Sequence, residues 1–104
     1  MSDLRGKRIL VVDDDPELLR LVEICLSVTK AQVYTASDGQ TGLRQFFLLR
    51  PDLVILDVMM PDLDGWQVCQ HVRLLSDVPI LFLTALLYLP KAKPPYHDLH
   101  FLPV

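Results

Sequence analysis

The chain has 104 residues, a formal net charge of -3, and 51% hydrophobic and 22% charged side chains. That is one domain's length at an ordinary globular composition, which excludes a disordered tail, a collagen-like chain and a basic nucleic-acid arm. Lys and Arg are scattered, so neither a nucleic-acid footprint nor a patch for anionic lipid is present in the sequence.

The polar start, Met1-Ser2-Asp3-Leu4-Arg5-Gly6-Lys7-Arg8, passes straight into an apolar run without a secretory hydrophobic region. The longest nearly apolar stretch, 78–90, is too short to span a bilayer. Cys25 and Cys69 make no C-x-x-C and no disulfide framework. A cytoplasmic, reducing location away from membranes is expected.

Ile9-Leu10-Val11-Val12 is continuously apolar, the pattern of a strand buried on both faces of a parallel sheet. Asp15-Pro16 reads as a helix cap with proline at the first helical position. Leu18, Leu21, Val22, Cys25 and Leu26 then recur at helical spacing as one stripe. Residues 31–36, with Val33, Tyr34 and Thr35, form a weaker strand. Ser37 and Gln40 match a capping box; Leu43, Phe46 and Phe47 supply that helix's inward face, and Pro51 lies beyond its end. Leu53-Val54-Ile55-Leu56 is the third strand. Asp64-Gly65 opens a third helix with Gly65, Val68, Cys69 and Val72 inward and Gln67, Gln70, His71 and Arg73 toward water. Ile80-Leu81-Phe82-Leu83 is the fourth strand. After Ala85 neither period is present, and four of the eight prolines fall in the last fifteen residues.

Strands alternating with helices predict a doubly wound α/β parallel sheet, with its chemistry beyond the carboxyl ends of the strands where strand order reverses. Asp13, Asp14 and Asp15 follow the first strand and Asp57 ends the third, so carboxylates distant in sequence converge at one rim of the sheet. Charges that close repel unless a cation intervenes. The ligands are hard oxygens without His or Cys, which suits Mg²⁺. Asp15 is accounted for by its cap, whereas a carboxylate terminating a wholly apolar strand is costly without a purpose.

Three segments carry a family resemblance. Arg8-Ile9-Leu10-Val11-Val12-Asp13-Asp14-Asp15-Pro16 resembles the opening of a response-regulator receiver domain. Pro51-Asp52-Leu53-Val54-Ile55-Leu56-Asp57-Val58-Met59-Met60-Pro61-Asp62-Leu63-Asp64-Gly65 is similar to that family's phosphoacceptor segment, and Pro79-Ile80-Leu81-Phe82-Leu83-Thr84-Ala85 to its fourth strand. The match spans 7–85 of a single domain, 1–104. The resemblance implies a flavodoxin-like receiver fold in which Asp57 accepts a phosphoryl group from a sensor histidine kinase or phosphotransfer protein. It further implies that Asp14 binds Mg²⁺ directly with help from Asp13, Asp57 and the Met59 carbonyl, and that Thr84 donates its hydroxyl to the phosphoryl oxygen. The Met59 and Met60 side chains are assigned to packing. The chain is expected to be a signalling module and not an enzyme, with no direct nucleic-acid contact.

The family continues with a helix, a strand ending in Lys-Pro and a last helix. Here Tyr88 and Lys91 have the aromatic-to-Lys spacing and Lys93-Pro94 the dipeptide, but no register gives both. Only six residues separate Thr84 from Lys91, whereas a parallel crossover takes about a dozen or more. A receiver fold lacking the usual last helix–strand–helix is therefore expected, with 86–104 an atypical tail and Lys91 the candidate to reach the pocket as a loop residue. The fourth strand becomes an exposed apolar edge, which favours a homodimer or strand-exchanged assembly.

Two other functions compete. A haloacid-dehalogenase-like phosphatase would use Asp13-x-Asp15, but the later acidic pair it needs is missing. A degenerate receiver would serve as a dimerisation module without phosphorylation. His97-x-x-His100 has no third ligand, His71 reads as solvated, and Trp66 as packing or surface lid. Cys25 and Cys69, on helices expected on opposite faces of the sheet, read as separate core thiols.

Overall fold

The computed structural model describes residues 3–83. Four strands alternate with three helices: β1 (Arg8–Val12), α1 (Pro16–Ser27), β2 (Gln32–Ala36), α2 (Gly39–Leu49), β3 (Leu53–Leu56), α3 (Gly65–Arg73) and β4 (Ile80–Phe82). The sheet is parallel throughout, in the order β2-β1-β3-β4. Strand order reverses at β1, where β2 lies on one side and β3 on the other. The doubly wound sheet predicted from the apolar runs is the fold observed.

Alternate residues of each strand serve opposite faces. Leu10, Val12, Val54, Leu56 and Phe82 pack with Phe46 of α2 and Val68 and Val72 of α3. Ile9, Val11 and Ile55 pack with Leu19 of α1. Gly42 of α2 lies so close to Val12 that a Cβ would press on both of its methyl groups. This contact seats α2 against the end of β1.

The local signals held in part. Asp15 caps α1, accepting from the Glu17 and Leu18 N–H groups, with Pro16 in the first turn. At α2 the cap is Asp38, which accepts from the Thr41 N–H at 2.7 Å, and not Ser37. The capping box falls instead on α3, where Asp64 and Gln67 serve each other's backbone.

The face of α1 also differs from the expected stripe. Leu19 is the buried residue, with Val22 and Leu26 partly buried beside it, while Leu21 is 55% exposed and Cys25 is exposed. Seven of the nine residues from Leu18 to Leu26 are apolar, so several rotations of the helix satisfy a 3.6-residue period. Contact with Ile9, Val11 and Ile55 selects the rotation that puts Leu19 inward. Cys25 is therefore a surface thiol; Cys69 is partly buried against the core, and burial raises its pKa. On α2, Phe46 is buried but Phe47 is 44% exposed and meets it edge-to-face.

Candidate functional site

Val12 and Leu56 are register partners at the carboxyl ends of β1 and β3. The next residues, Asp13 and Asp57, therefore emerge side by side. Their backbones are fixed by the sheet's last rungs: Asp13 N–H donates to the Ala36 carbonyl at 3.1 Å and Asp57 N–H to the Val12 carbonyl at 2.9 Å. Asp14 completes the group. Asp13 and Asp57 are buried, Asp14 is exposed, and carboxylate oxygens of the three lie within 4.8 Å of one another. Asp15 is not among them, because its carboxylate caps α1. This removes the second acid of the phosphatase alternative.

One Asp13 oxygen, Oδ1, accepts from the Asp15 N–H at 2.9 Å. The other, Oδ2, is buried and has no hydrogen-bond partner among the described residues. A buried carboxylate oxygen left this way is costly. Burial is the main cause that raises the Asp13 pKa to about 7; the Asp15 N–H works the other way, and the charges of Asp57 and Asp14 add to the rise. Either a proton or a cation relieves this arrangement. Among the described residues the cluster is three convergent carboxylates, an all-oxygen set that could hold a hard metal ion.

The loop after β3 is equally constrained. Met59 N–H donates to Asp57 Oδ1 at 3.1 Å, and Gly65 N–H to the Val58 carbonyl at 2.9 Å, closing the loop at its base. Met60 is buried and packs as expected, whereas the Met59 side chain is 44% exposed. Asp62, which the sequence did not single out for a role, reaches α2 and accepts from the Gly39 and Gln40 N–H groups at 3.1 and 3.2 Å. Its partners lie 22 and 23 residues away, so no local pattern could have found it. At the end of β4, Leu83 N–H donates to the Leu56 carbonyl at 3.0 Å. Thr84, Lys91, the His97 and His100 pair and the tail 86–104 lie outside the described residues.

The response regulator receiver domain family matches residues 9–93. The chain belongs to the response-regulator receiver family. It is 51% identical over 84 residues to a probable transcriptional regulator, ycf27, of Cyanophora paradoxa, a match covering 81% of this chain and 35% of that protein. The chain thus spans about a third of the length of the curated relatives it matches. Among solved structures it is similar to the BeF3-activated N-terminal receiver domain of RstA from Klebsiella pneumoniae, with a TM-score of 0.70 and 32% identity, covering 73% of this chain and 65% of that one. It is also similar to the receiver domain of the histidine kinase CKI1 from Arabidopsis thaliana, complexed with Mg²⁺ and BeF3-, with a TM-score of 0.66 and 26% identity over 76% of this chain and 66% of that one.

One expectation is corrected at this point. The sequence alone suggests a module that is not an enzyme. Membership of the receiver family and likeness to transcriptional regulators carry no such denial. Among the described residues no helix is long and apolar enough to cross a membrane.

Proposed function

We propose that this receiver takes a phosphoryl group onto Asp57 from a phosphohistidine on a sensor kinase or phosphotransfer protein. An Asp57 carboxylate oxygen attacks phosphorus; the oxygen–phosphorus bond forms as the phosphorus–nitrogen bond to the donor imidazole breaks, and imidazole leaves. The observation that carries this reading is the convergence of the Asp13, Asp14 and Asp57 carboxylates, with Asp13 Oδ2 buried and without a hydrogen-bond partner among the described residues. Asp13, Asp14, Asp57 and the Met59 carbonyl would hold Mg²⁺, which supplies positive charge opposite the phosphoryl oxygens. The Mg²⁺ and BeF3- bound by the similar CKI1 receiver support that choice of ion.

The chain's own residues do the rest. The β1 and β3 rungs hold Asp13 and Asp57 abreast, and the Met59 N–H orients one Asp57 oxygen. Thr84 follows the Leu83–Leu56 rung in sequence, and its hydroxyl is assigned to a phosphoryl oxygen; Lys91 is assigned to the same group. The whole of 1–104 is read as one receiver unit with an atypical tail at 86–104. It is read as acting in the cytoplasm, without direct nucleic-acid contact by this segment.

Incubation with acetyl phosphate and Mg²⁺, followed by intact mass, tests the reading. One added phosphoryl group, about 80 Da, should appear and be lost in Asp57→Asn and on chelation. Steady release of phosphate blocked by Asp13→Asn but not by Asp57→Asn would sink it. A second reading, a degenerate receiver serving as a dimerisation module, is favoured by one observation. β4 is an edge of the described sheet, and its Leu81 is 41% exposed. It predicts no adduct with or without Mg²⁺, together with self-association.

A further inference from the structure

The β3–α3 loop is anchored to a helix that it does not adjoin in sequence. The first three backbone N–H groups of α2 have no partner within the helix and must find one outside it. Thr41 N–H goes to Asp38 Oδ1, the local cap. Gly39 and Gln40 N–H go to the two oxygens of Asp62, one each. Gly39 also lies against the Leu63 backbone so closely that a Cβ would collide with the Leu63 carbonyl. The loop therefore rests directly on the start of α2.

These contacts form a closed chain that runs through Asp13 and Asp57 of the acidic cluster. β1 joins β2 through Asp13 N–H and the Ala36 carbonyl, and β3 joins β1 through Asp57 N–H and the Val12 carbonyl. β2 runs on into α2, and α2 meets the loop through Asp62. The loop returns to its own base through Gly65 N–H and the Val58 carbonyl. Asp62 is exposed in that chain of contacts. Some loss of hydration acts against its charge, but donation from the Leu63, Gly39 and Gln40 N–H groups outweighs this and holds its pKa below the ordinary value.

We propose that Asp62 is a positioning residue: by binding the first turn of α2 it clamps the β3–α3 loop, and with it the Met59 backbone, in the geometry needed for metal capture. The metal role rests on the function proposed above; the clamp itself does not. A carboxylate that caps a helix from its own sequence neighbourhood stabilises that helix alone. One that arrives from another loop couples the two, so its loss is felt at Asp57 and Met59 as well as at α2.

Three variants of the full chain separate these effects: Asp62→Ala, Asp62→Asn and, as a purely local cap loss, Asp38→Ala. In metal-free protein, amide exchange read by NMR should quicken about tenfold at Gly39, Gln40 and Met59 in Asp62→Ala. Asp38→Ala should quicken Thr41 and spare Met59. Asp62→Asn keeps one accepting oxygen of the two and should restore protection at only one of Gly39 and Gln40, and part of it at Met59. Titration with Mg²⁺, followed by the fluorescence of the single tryptophan, Trp66, should show about a tenfold weaker affinity in Asp62→Ala and an intermediate affinity in Asp62→Asn. Unchanged exchange at Met59 in Asp62→Ala overturns the clamp, whatever happens at Gly39 and Gln40. Quickened Met59 exchange with unchanged Mg²⁺ affinity overturns the positioning role. A wild-type chain that binds no Mg²⁺ overturns the metal reading, and the exchange data then decide the clamp alone.

Discussion

Gly65 lies flush against the backbone carbonyl of Asp57, with no space for a Cβ between them. The same residue opens α3 and donates its N–H to the Val58 carbonyl. Any side chain at position 65 must therefore force the start of α3 and the end of β3 apart. Gly65→Ala is expected to cost about 2–4 kcal/mol through this overlap with backbone, which has no rotamer to escape into. In a domain of this size that is a fall in Tm of roughly 10 °C or more. Thermal denaturation followed by circular dichroism checks it, and a fall of only a degree or two would show that the loop yields freely.

Asp13 gives the metal-free domain a characteristic pH dependence. Its folded pKa stands at about 7, against about 3.9 for an unfolded aspartate. The folded state thus binds the proton more tightly than the unfolded state. The stabilisation is fully present below about pH 4 and is lost as pH rises through about 7. Its size is on the order of 2–4 kcal/mol. Urea midpoints measured with a chelator at pH 5 and pH 8 should differ in that direction, and Asp13→Asn should flatten the difference. Mg²⁺ should restore stability at pH 8, because a bound cation replaces the proton. An Asp13→Asn variant with the slope of the wild type would refute the assignment.

The rotation of α1 is open to a paired test. Leu19 is buried against Ile9, Val11 and Ile55, whereas Leu21 and Ile24 are 55% and 59% exposed. Leu19→Ala should cost about 2–3 kcal/mol, and Leu21→Ala or Cys25→Ser no more than about 0.5 kcal/mol. Chemical denaturation of the three variants decides between this rotation and the stripe through Leu21 and Cys25 that the periodicity alone suggested.

Legibility in the sequence followed how local each cause is. The strands were readable because a short, unbroken apolar run such as Leu53-Val54-Ile55-Leu56 has no other comfortable place than the middle of a parallel sheet. Asp13, Asp14 and Asp57 were readable as a cluster because strand ends and topology fix where they emerge. The facing of α1 was not, since apolar residues surround much of that helix and only the sheet chooses among them. The cap of α2 slipped by one residue because Ser37 and Asp38 are both good caps, and backbone entry decided for Asp38. The reach of Asp62 to α2 was invisible for a different reason: it depends on how two crossovers pack, which no spacing in the chain records.

The β4 edge of the described sheet leads to the last prediction. β4 pairs with β3 on one side only within the described sheet, and Leu81 between Ile80 and Phe82 is exposed while Phe82 is buried. An apolar edge strand offers unpaired backbone groups and a greasy side chain to another chain, and a lysine on such an edge is an effective barrier to pairing. Sedimentation velocity of the full chain should show association that grows with concentration over the micromolar range, and Leu81→Lys should shift it toward monomer. Because Leu81 is already solvent-facing, the substitution should change stability by no more than about 0.5–1 kcal/mol, so a loss of association cannot be put down to unfolding. If wild type and Leu81→Lys sediment alike as monomers, the edge is not an assembly surface. If both associate equally, the contact lies elsewhere on the molecule.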